Sequence, residues 1–369
     1  MAMKICYIAD GVSIHTQRWL NYIAVKGYEV HLICWKIMPG YNNTIQVHLL
    51  KRYAPKIWPL SQYANFAYWC VQVRQLVSMI KPDIIDGHFV TSYGFMAACA
   101  GFRPLVVTAW GSDVLIYPKK NPIFKFMAKY AMKRANIVVC TAPIVKQEIS
   151  KLGIDSNKIH VVVIGGVDKE RFYPAKRDEA LMRSLGISPN EPIIISTRAL
   201  APVYDVITLI KAVPIILSES PATKFIIIGR GKQENHLWKL AASLNILSNV
   251  IFLGWIDHDK LPSYLYSSDI YVSTSLSDGA SNSLLEAMAC NLAPVVSDIP
   301  ANRQWIKDSE NGLFFPIGNH NTLAEKIIWL LSHSETKTIF GDRCRRIIES
   351  EADPEIEMKK LVNIYVQLT

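Results

Sequence analysis

The stretch "STSLSDGASNSLLEAMACNLAPVVSD" (273–298) reads as the end of a strand, a loop, a helix and the next strand. The first strand ends near Ser275, and a polar loop then carries Asp278 and Gly279. A helix starts near Ser281, Asn291 is placed to stop it in a left-handed cap, and "APVVSD" (293–298) begins the following strand. This is one βαβ unit of a parallel sheet. The N–H groups of the first helical turn, at Asn282, Ser283 and Leu284, would face outward at the positive end of the helix dipole, which makes an anion site. Asp278 lies just before that turn and Glu286 eight residues later, so both carboxylates border the same phosphate-sized space. Taken alone, the pair is also what a loop aspartate and an ordinary helical glutamate look like, so the surrounding sequence has to decide.

Outward from this unit the pattern repeats. Toward the N-terminus lie "PIIISTR" (192–198), "TKFIIIG" (223–229), "NVIFLGW" (249–255) and "DIYVSTS" (269–275), separated by segments of helical period. An earlier series comprises "KICYIA" (4–9), "EVHLICW" (29–35), "DIIDGHF" (83–89), "PLVVTAW" (104–110), "NIVVCTA" (136–142) and "KIHVVVI" (158–164). Between the two series, "GGVDKERFYPAKRDEA" has no periodicity and holds Gly165, Gly166 and Pro174, so it reads as a linker. The expected fold class is α/β, with two Rossmann-like domains: 1–176, joined by a closing helix over 354–369, and 177–353. The closing helix places Ile356, Leu361, Ile364 and Tyr365 at helical spacing.

A dinucleotide enzyme would show G-x-G-x-x-G after a strand. Here the first strand is followed by "ADGVSIHT", whose single glycine is Gly11, and the later "IIIGRGKQEN" offers Gly229 and Gly231 without the third glycine or the ribose-binding acid. A P-loop motif is missing as well. The chain has 369 residues, half of them hydrophobic and 19% charged, which excludes disorder. No apolar run approaches the ~18–20 residues that cross a bilayer, and "MAMKICYIAD" lacks the layout of a signal peptide, so a cytoplasmic protein is expected. Cysteines 6, 34, 70, 99, 140, 290 and 344 are odd in number and form no C-x-x-C pair, so they read as small buried hydrophobes. Charge is uneven: residues 1–176 carry 22 Lys/Arg against 9 Asp/Glu, and 177–369 carry 18 against 22, so the first half alone has a net charge of +13. That half should meet something anionic.

Five ordered blocks now tie the chain to a family. They are "IGGVDKERFYP", "IIIGRGKQENHLWKLA", "VIFLGWIDHDKLPSYLYSSDIYVSTS", Asp278 and Glu286 with "AMACNLAPVVSD", and "ENGLFFPIGNHNTLAEKI". The sequence resembles glycosyltransferase family 4 over almost its whole length. The resemblance implies the GT-B fold, two domains facing across a cleft, and transfer from a nucleotide sugar, UDP by family preference, with retention and without a metal ion or other cofactor. It places Asp278 against the donor sugar, Glu286 on the ribose hydroxyls and Arg198 on the diphosphate. Trp255 and Ile256 match the segment that holds the nucleobase, although Trp255 could equally be a core aromatic. Gly11, Gly279 and the 282–284 turn complete the donor set. Two positions depart from the pattern: Tyr204 stands where the family has a lysine paired with its arginine, and Trp110 stands at the histidine before Gly111 and Asp113.

On the acceptor side, "GVSIHTQRW" sets His15 and Arg18 just after the first strand, while His88 and Asp113 follow strands on the same edge, the place where doubly wound folds bind ligands. The segment "YPKKNPIFKFMAKYAMKRAN" (117–136) sets Lys119, Lys120, Lys125, Lys129, Lys133 and Arg134 beside Ile123, Phe124, Phe126, Met127 and Met132. That pattern suits a helix in a membrane interface, and "LKRYAPKIWPLSQYANFAYW" (50–69) repeats it. A lipid-diphosphate-linked glycan of surface polysaccharide (O-antigen, capsule or exopolysaccharide), met at the inner face of the membrane, is the expected acceptor. An inactive homologue acting as a binding subunit is the alternative, motivated by Tyr204 and Trp110. A nucleic-acid partner is disfavoured because the basic residues interleave with apolar anchors.

Overall fold

The computed structural model describes residues 2–52, 61–163, 167–279, 281–352 and 354–369. The chain forms two compact units, 1–165 with 355–369, and 166–354. The first is built on a seven-stranded parallel sheet of β1 (Lys4–Ile8), β2 (Glu29–Cys34), β3 (Gln46–Leu49), β4 (Ile84–His88), β5 (Leu105–Ala109), β6 (Ile137–Cys140) and β7 (Ile159–Val161). Their order is β3-β2-β1-β4-β5-β6-β7. Side chains alternate between its faces, so Cys6 and Ile8 enter one core and Ile5, Tyr7 and Ala9 the other. Helices Ser61–Ile80, Tyr93–Ala100 and Pro122–Arg134 cover the first face, and Ile14–Val25 and Pro354–Val366 the second. Burial on both faces is why these strands read as unbroken apolar runs.

The closing helix belongs with the first unit. Glu357 accepts from the Val163 N–H (2.8 Å), and the Tyr365 hydroxyl donates to Asp86 Oδ2 (2.6 Å), which also receives the Thr108 hydroxyl on Oδ1 (2.9 Å). Burial pushes the Asp86 carboxyl up to about 7. Leu361, Ile364 and Tyr365 are buried as expected, but Ile356 is 49% exposed and Met358 takes its place in the core.

The second unit carries a six-stranded parallel sheet of β8 (Ile193–Ser196), β9 (Lys224–Ile228), β10 (Val250–Gly254), β11 (Ile270–Ser273), β12 (Ala293–Ser297) and β13 (Leu313–Phe315), ordered β10-β9-β8-β11-β12-β13. The edge strands β3 and β13, of four and three residues, were not expected, since each is too short for a periodic signal. The linker reading also needs correcting. Gly165 and Gly166 lie outside the described residues, but 167–176 packs with the second unit. Phe172 is buried, meets the His258 ring edge-on at 5.0 Å, and its carbonyl accepts from Arg345 (2.9 Å). The division therefore falls near 165, not at 176. Among the described residues no helix is long and apolar enough to cross a membrane.

Candidate functional site

The loop between β11 and the helix Asn282–Ala289 is tied down at both ends. The Thr274 hydroxyl donates to the Tyr204 carbonyl (2.9 Å) and the Leu276 N–H to the Val203 carbonyl (2.8 Å). At the far end Ser281 takes a left-handed φ of 48°, and its hydroxyl donates to buried Asn302 (2.9 Å). The helix then opens onto Arg198, two residues beyond β8. Arg198 Nη2 donates to Asp278 Oδ2 and Nη1 to Ser283 Oγ, both at 2.5 Å, and the guanidinium lies 4.1 Å from the Tyr204 ring centre. The buried Tyr271 hydroxyl donates to the same Ser283 Oγ (2.9 Å). Arg198 is only 8% exposed, and its Nε finds no acceptor among the described residues. Burial acts to lower the guanidinium pKa, but Asp278 and the neighbouring phenols outweigh it and leave it above the ordinary arginine value. The site therefore combines a permanent cation, an unspent donor and a helix N-terminus, the elements that hold an anion.

The first turn differs from expectation at one residue. The Leu284 N–H is not presented outward, because it donates to the Ser281 carbonyl at 2.8 Å. Ser283 contributes more than its backbone, since its hydroxyl links Arg198 to Tyr271. The Gly279 N–H bonds to Asp278 Oδ1 (2.8 Å) and fixes that carboxylate. Glu286, a turn into the helix, pairs through Oε1 with His258 Nε2 (2.8 Å). His258 Nδ1 faces Arg171 Nη1 at 3.1 Å, and arginine can only donate, so the proton sits on Nε2 and points at Glu286. Trp255 is 66% exposed directly after β10, which removes the core reading for it, and Ile256 beside it is half-buried. Gly229 belongs to no dinucleotide motif: a Cβ there would sit 2.1 Å from the Arg198 carbonyl, so the glycine lets the loop after β9 press against the backbone that carries Arg198.

In the first unit the expected acceptor residues separate into two groups. His15, Arg18 and Trp110 are half-buried, and the His15 and Trp110 rings lie 5.7 Å apart. His88 is not reachable. It is 2% exposed, enclosed by Tyr7, Trp19 and Trp110, both nitrogens lack a hydrogen-bond partner among the described residues, and burial drives its pKa down to about 3. Asp113 is also fully buried, and its carboxylate accepts from the N–H groups of Val90 (2.8 Å), Trp110 (3.0 Å) and Gly111 (2.9 Å). Neither His88 nor Asp113 is placed to touch a substrate here. Gly11 is explained locally, since a Cβ would lie 2.3 Å from the Lys36 carbonyl.

The basic segment forms the helices Tyr117–Lys120 and Pro122–Arg134. Met127 and Met132 face the core and are not among the apolar anchors of a membrane-facing side, which leaves Ile123 and Phe126 exposed among Lys120, Lys125, Lys129 and Lys133. Lys119 pairs with Glu148 (3.0 Å), and Arg134 lies 5.6 Å from the Tyr130 ring. Of the second basic stretch, 53–60 lies outside the described residues.

Two family models match successive parts of the chain: Glycosyl transferase 4-like over residues 4–142, and Glycosyl transferases group 1 over 177–347. The chain is a glycosyltransferase of the family 4 type. Relatives include the N-acetyl-alpha-D-glucosaminyl L-malate synthase of Bacillus anthracis, 24% identical over 93% of this chain and 90% of that protein. Another is the UDP-Gal:alpha-D-GlcNAc-diphosphoundecaprenol alpha-1,3-galactosyltransferase of Escherichia coli, 24% identical over 81% of this chain and 79% of that one. The crystal structure of Anabaena HepE in complex with UDP and glucose superposes with a TM-score of 0.83 over 99% of this chain and 100% of that one, at 18% identity. The fold is GT-B. Three residues of this glycosyltransferase's site were not singled out in the sequence. Tyr271 gave no signal within a plain strand pattern. His258 stood inside the quoted block 250–275, three residues after Trp255, and Asn302 followed β12 with nothing to mark it.

Proposed function

We propose that the protein moves a sugar from a UDP-sugar, with retention and without a metal ion, to a hydroxyl of a lipid-diphosphate-linked glycan in surface polysaccharide assembly. The observation that carries this reading is the meeting of Arg198, Asp278 and Ser283 at the N-terminus of helix Asn282–Ala289. In the reaction the bond from the anomeric carbon to the diphosphate oxygen breaks, the acceptor oxygen bonds that carbon on the same face, and the acceptor proton passes to the leaving phosphate. Arg198 and the helix N-terminus stabilise the charge that builds on the diphosphate. Asp278 faces the sugar and Glu286, oriented by His258, receives the ribose hydroxyls, with Trp255 and Ile256 beside the base. The E. coli relative, which acts on a UDP-sugar and a diphosphoundecaprenol glycan, supports this choice of donor and acceptor.

A thermal-shift screen of UDP-glucose, UDP-galactose, UDP-N-acetylglucosamine and GDP-mannose in EDTA tests the donor site. A ligand at ~100 times its Kd adds about 2.7 kcal/mol of stability. One of the UDP-sugars should raise Tm, and Glu286→Ala should weaken it about tenfold through loss of charge-assisted hydrogen bonds. A shift that requires divalent metal, or equal affinity in the variant, removes this assignment.

The exposed Ile123 and Phe126, ringed by lysines, support docking on an anionic membrane. Helices 61–80 and 122–134 share that face of the first unit through a run of rings, Phe66, Phe95, Tyr130 and Phe126, spaced 5.3–6.0 Å. Each cation near such a leaflet adds roughly 1 kcal/mol. Sedimentation with anionic vesicles should fall as salt rises and fall further in Lys125→Glu/Lys129→Glu/Lys133→Glu, with donor binding unchanged. Vesicle binding identical in the triple variant returns the helix to a solvated surface.

A further inference from the structure

A concavity in the first unit flanks Gly11 and is lined in part by residues of the 50–69 stretch. It is open, measures about 290 Å³ and is walled by Asp10, Trp35, Lys36, Leu50, Arg52 and Trp69. These residues follow the carboxyl ends of three adjacent strands: Asp10 comes after β1, Trp35 and Lys36 after β2, and Leu50 and Arg52 after β3. The carboxyl edge of a doubly wound sheet is where ligands bind.

The wall is built before any ligand arrives. The loops after β1 and β2 are locked by a backbone bridge between Gly11 and Ile37, with the Met38 N–H on the Gly11 carbonyl (3.0 Å) and no room for a side chain at Gly11. The segment after β3 is clamped by the helix Ser61–Ile80. Gln72 bonds both backbone groups of Lys51 (3.0 and 2.8 Å), and the Trp69 indole donates to the Lys51 carbonyl (3.0 Å). That bond fixes the Trp69 ring 4.9 Å from Trp35, which also meets the Tyr93 ring at 4.3 Å. Trp35 Nε1 is buried and has no acceptor among the described residues, a state it shares with Trp19 and Trp305. Lys36 and Arg52 are exposed and form no ion pair among the described residues. An aromatic wall, one carboxylate and two exposed cations suit a pyranose ring whose hydroxyl meets an acid and whose phosphate meets the bases. The volume falls just below the ~300–1,000 Å³ of small-molecule sites, the scale of a monosaccharide phosphate and small for a nucleotide sugar.

We propose that this pocket binds a glycosyl phosphate, with the ring against Trp35 and Trp69, a hydroxyl on Asp10 and the phosphate between Lys36 and Arg52. The inference rests on the reading above and deepens it, making the pocket the seat of the phosphate-linked sugar of the acceptor. Calorimetric titration of the full chain with glucose 1-phosphate and N-acetylglucosamine 1-phosphate tests it, beside the matching methyl glycosides, inorganic phosphate and UDP. One sugar phosphate should bind at least tenfold tighter than its methyl glycoside and than phosphate. Saturating UDP should leave that binding intact. Trp69→Ala and Arg52→Ser should each weaken it at least tenfold with UDP affinity unchanged, and Arg52, lying on the surface, keeps the test valid if Trp69→Ala fails to fold. Equal binding of phosphate alone or of the neutral glycoside, displacement by UDP, or an unaltered Arg52→Ser variant overturns the proposal. Binding of the sugar phosphate without any binding of UDP sinks the donor assignment instead and leaves the pocket standing.

Discussion

Replacing Arg198 with alanine should lower kcat/KM for sugar transfer by at least thirtyfold, a loss of about 2 kcal/mol of transition-state stabilisation. The guanidinium is the buried cation of the site, and its bonds to Asp278 and Ser283 hold it in place at the helix N-terminus. In the unliganded protein Asp278 balances its charge. In the proposed reaction an incoming diphosphate would compete for the same Nη atoms, while Nε, with no acceptor among the described residues, would have a bond to gain. Charge-assisted contacts of this kind strengthen as the leaving group becomes more negative, which is why the loss should fall on turnover as well as on binding. Arg198→Lys keeps the charge but not the fork that reaches two partners at once, so it should fall between wild type and alanine. Asp278→Asn should behave differently: UDP binds more tightly, because the competing carboxylate is gone, while transfer slows. Alanine also removes the cation that balances the half-buried Asp278, leaving it the Gly279 N–H and the Ser281 hydroxyl, so urea unfolding must accompany the kinetics. A folded Arg198→Ala protein with unchanged kcat/KM would favour the binding-subunit alternative.

The alternation of apolar runs and helical segments was enough to place the central strands of both sheets, because a strand buried on both faces writes itself as an uninterrupted apolar run. The edges did not announce themselves. β3 mixes Gln46 and His48 with apolar residues and β13 is three residues long, so neither carries a pattern that outweighs its neighbours. In the second unit the legible residues were those tied to a helix start: Asp278, Ser283 and Glu286 are fixed by local chain geometry, which sequence spacing encodes. His258, Tyr271 and Asn302 reach the site through tertiary packing, and no spacing encodes that. The first unit misled in the opposite sense. His88 and Asp113 sit where strand ends meet the edge of the sheet, but sequence does not tell whether a polar side chain turns outward to a ligand or inward to the backbone. At Asp113 three N–H groups took the carboxylate, and at His88 three aromatic rings closed over the imidazole.

That inward turn makes Asp113 a matter of stability. Asp113→Ala should destabilise the protein by about 3–5 kcal/mol, since a buried donor left without its partner costs ~1–3 kcal/mol and three would be stranded here. The carboxylate joins Val90, beyond the end of β4, to Trp110 and Gly111, beyond β5, so its loss frees two neighbouring loops at once. Gly111 holds a φ of 123°, a conformation that the Asp113 bond helps to keep. Burial pushes the Asp113 carboxyl up to about 6, with the three N–H bonds acting against it. Because the folded value is above the ordinary 3.8, the folded protein holds a proton there that the unfolded chain has lost. This group's contribution to stability is therefore present in full below pH ~4 and declines as pH rises toward 6. Asp113→Asn keeps the shape but cannot accept three bonds at two oxygens, so it should lose part of the stability and all of that pH dependence. Urea unfolding of the three proteins between pH 4 and 7 measures both effects. A loss under 1 kcal/mol in Asp113→Ala, joined to a raised KM for the acceptor, would return Asp113 to the substrate side.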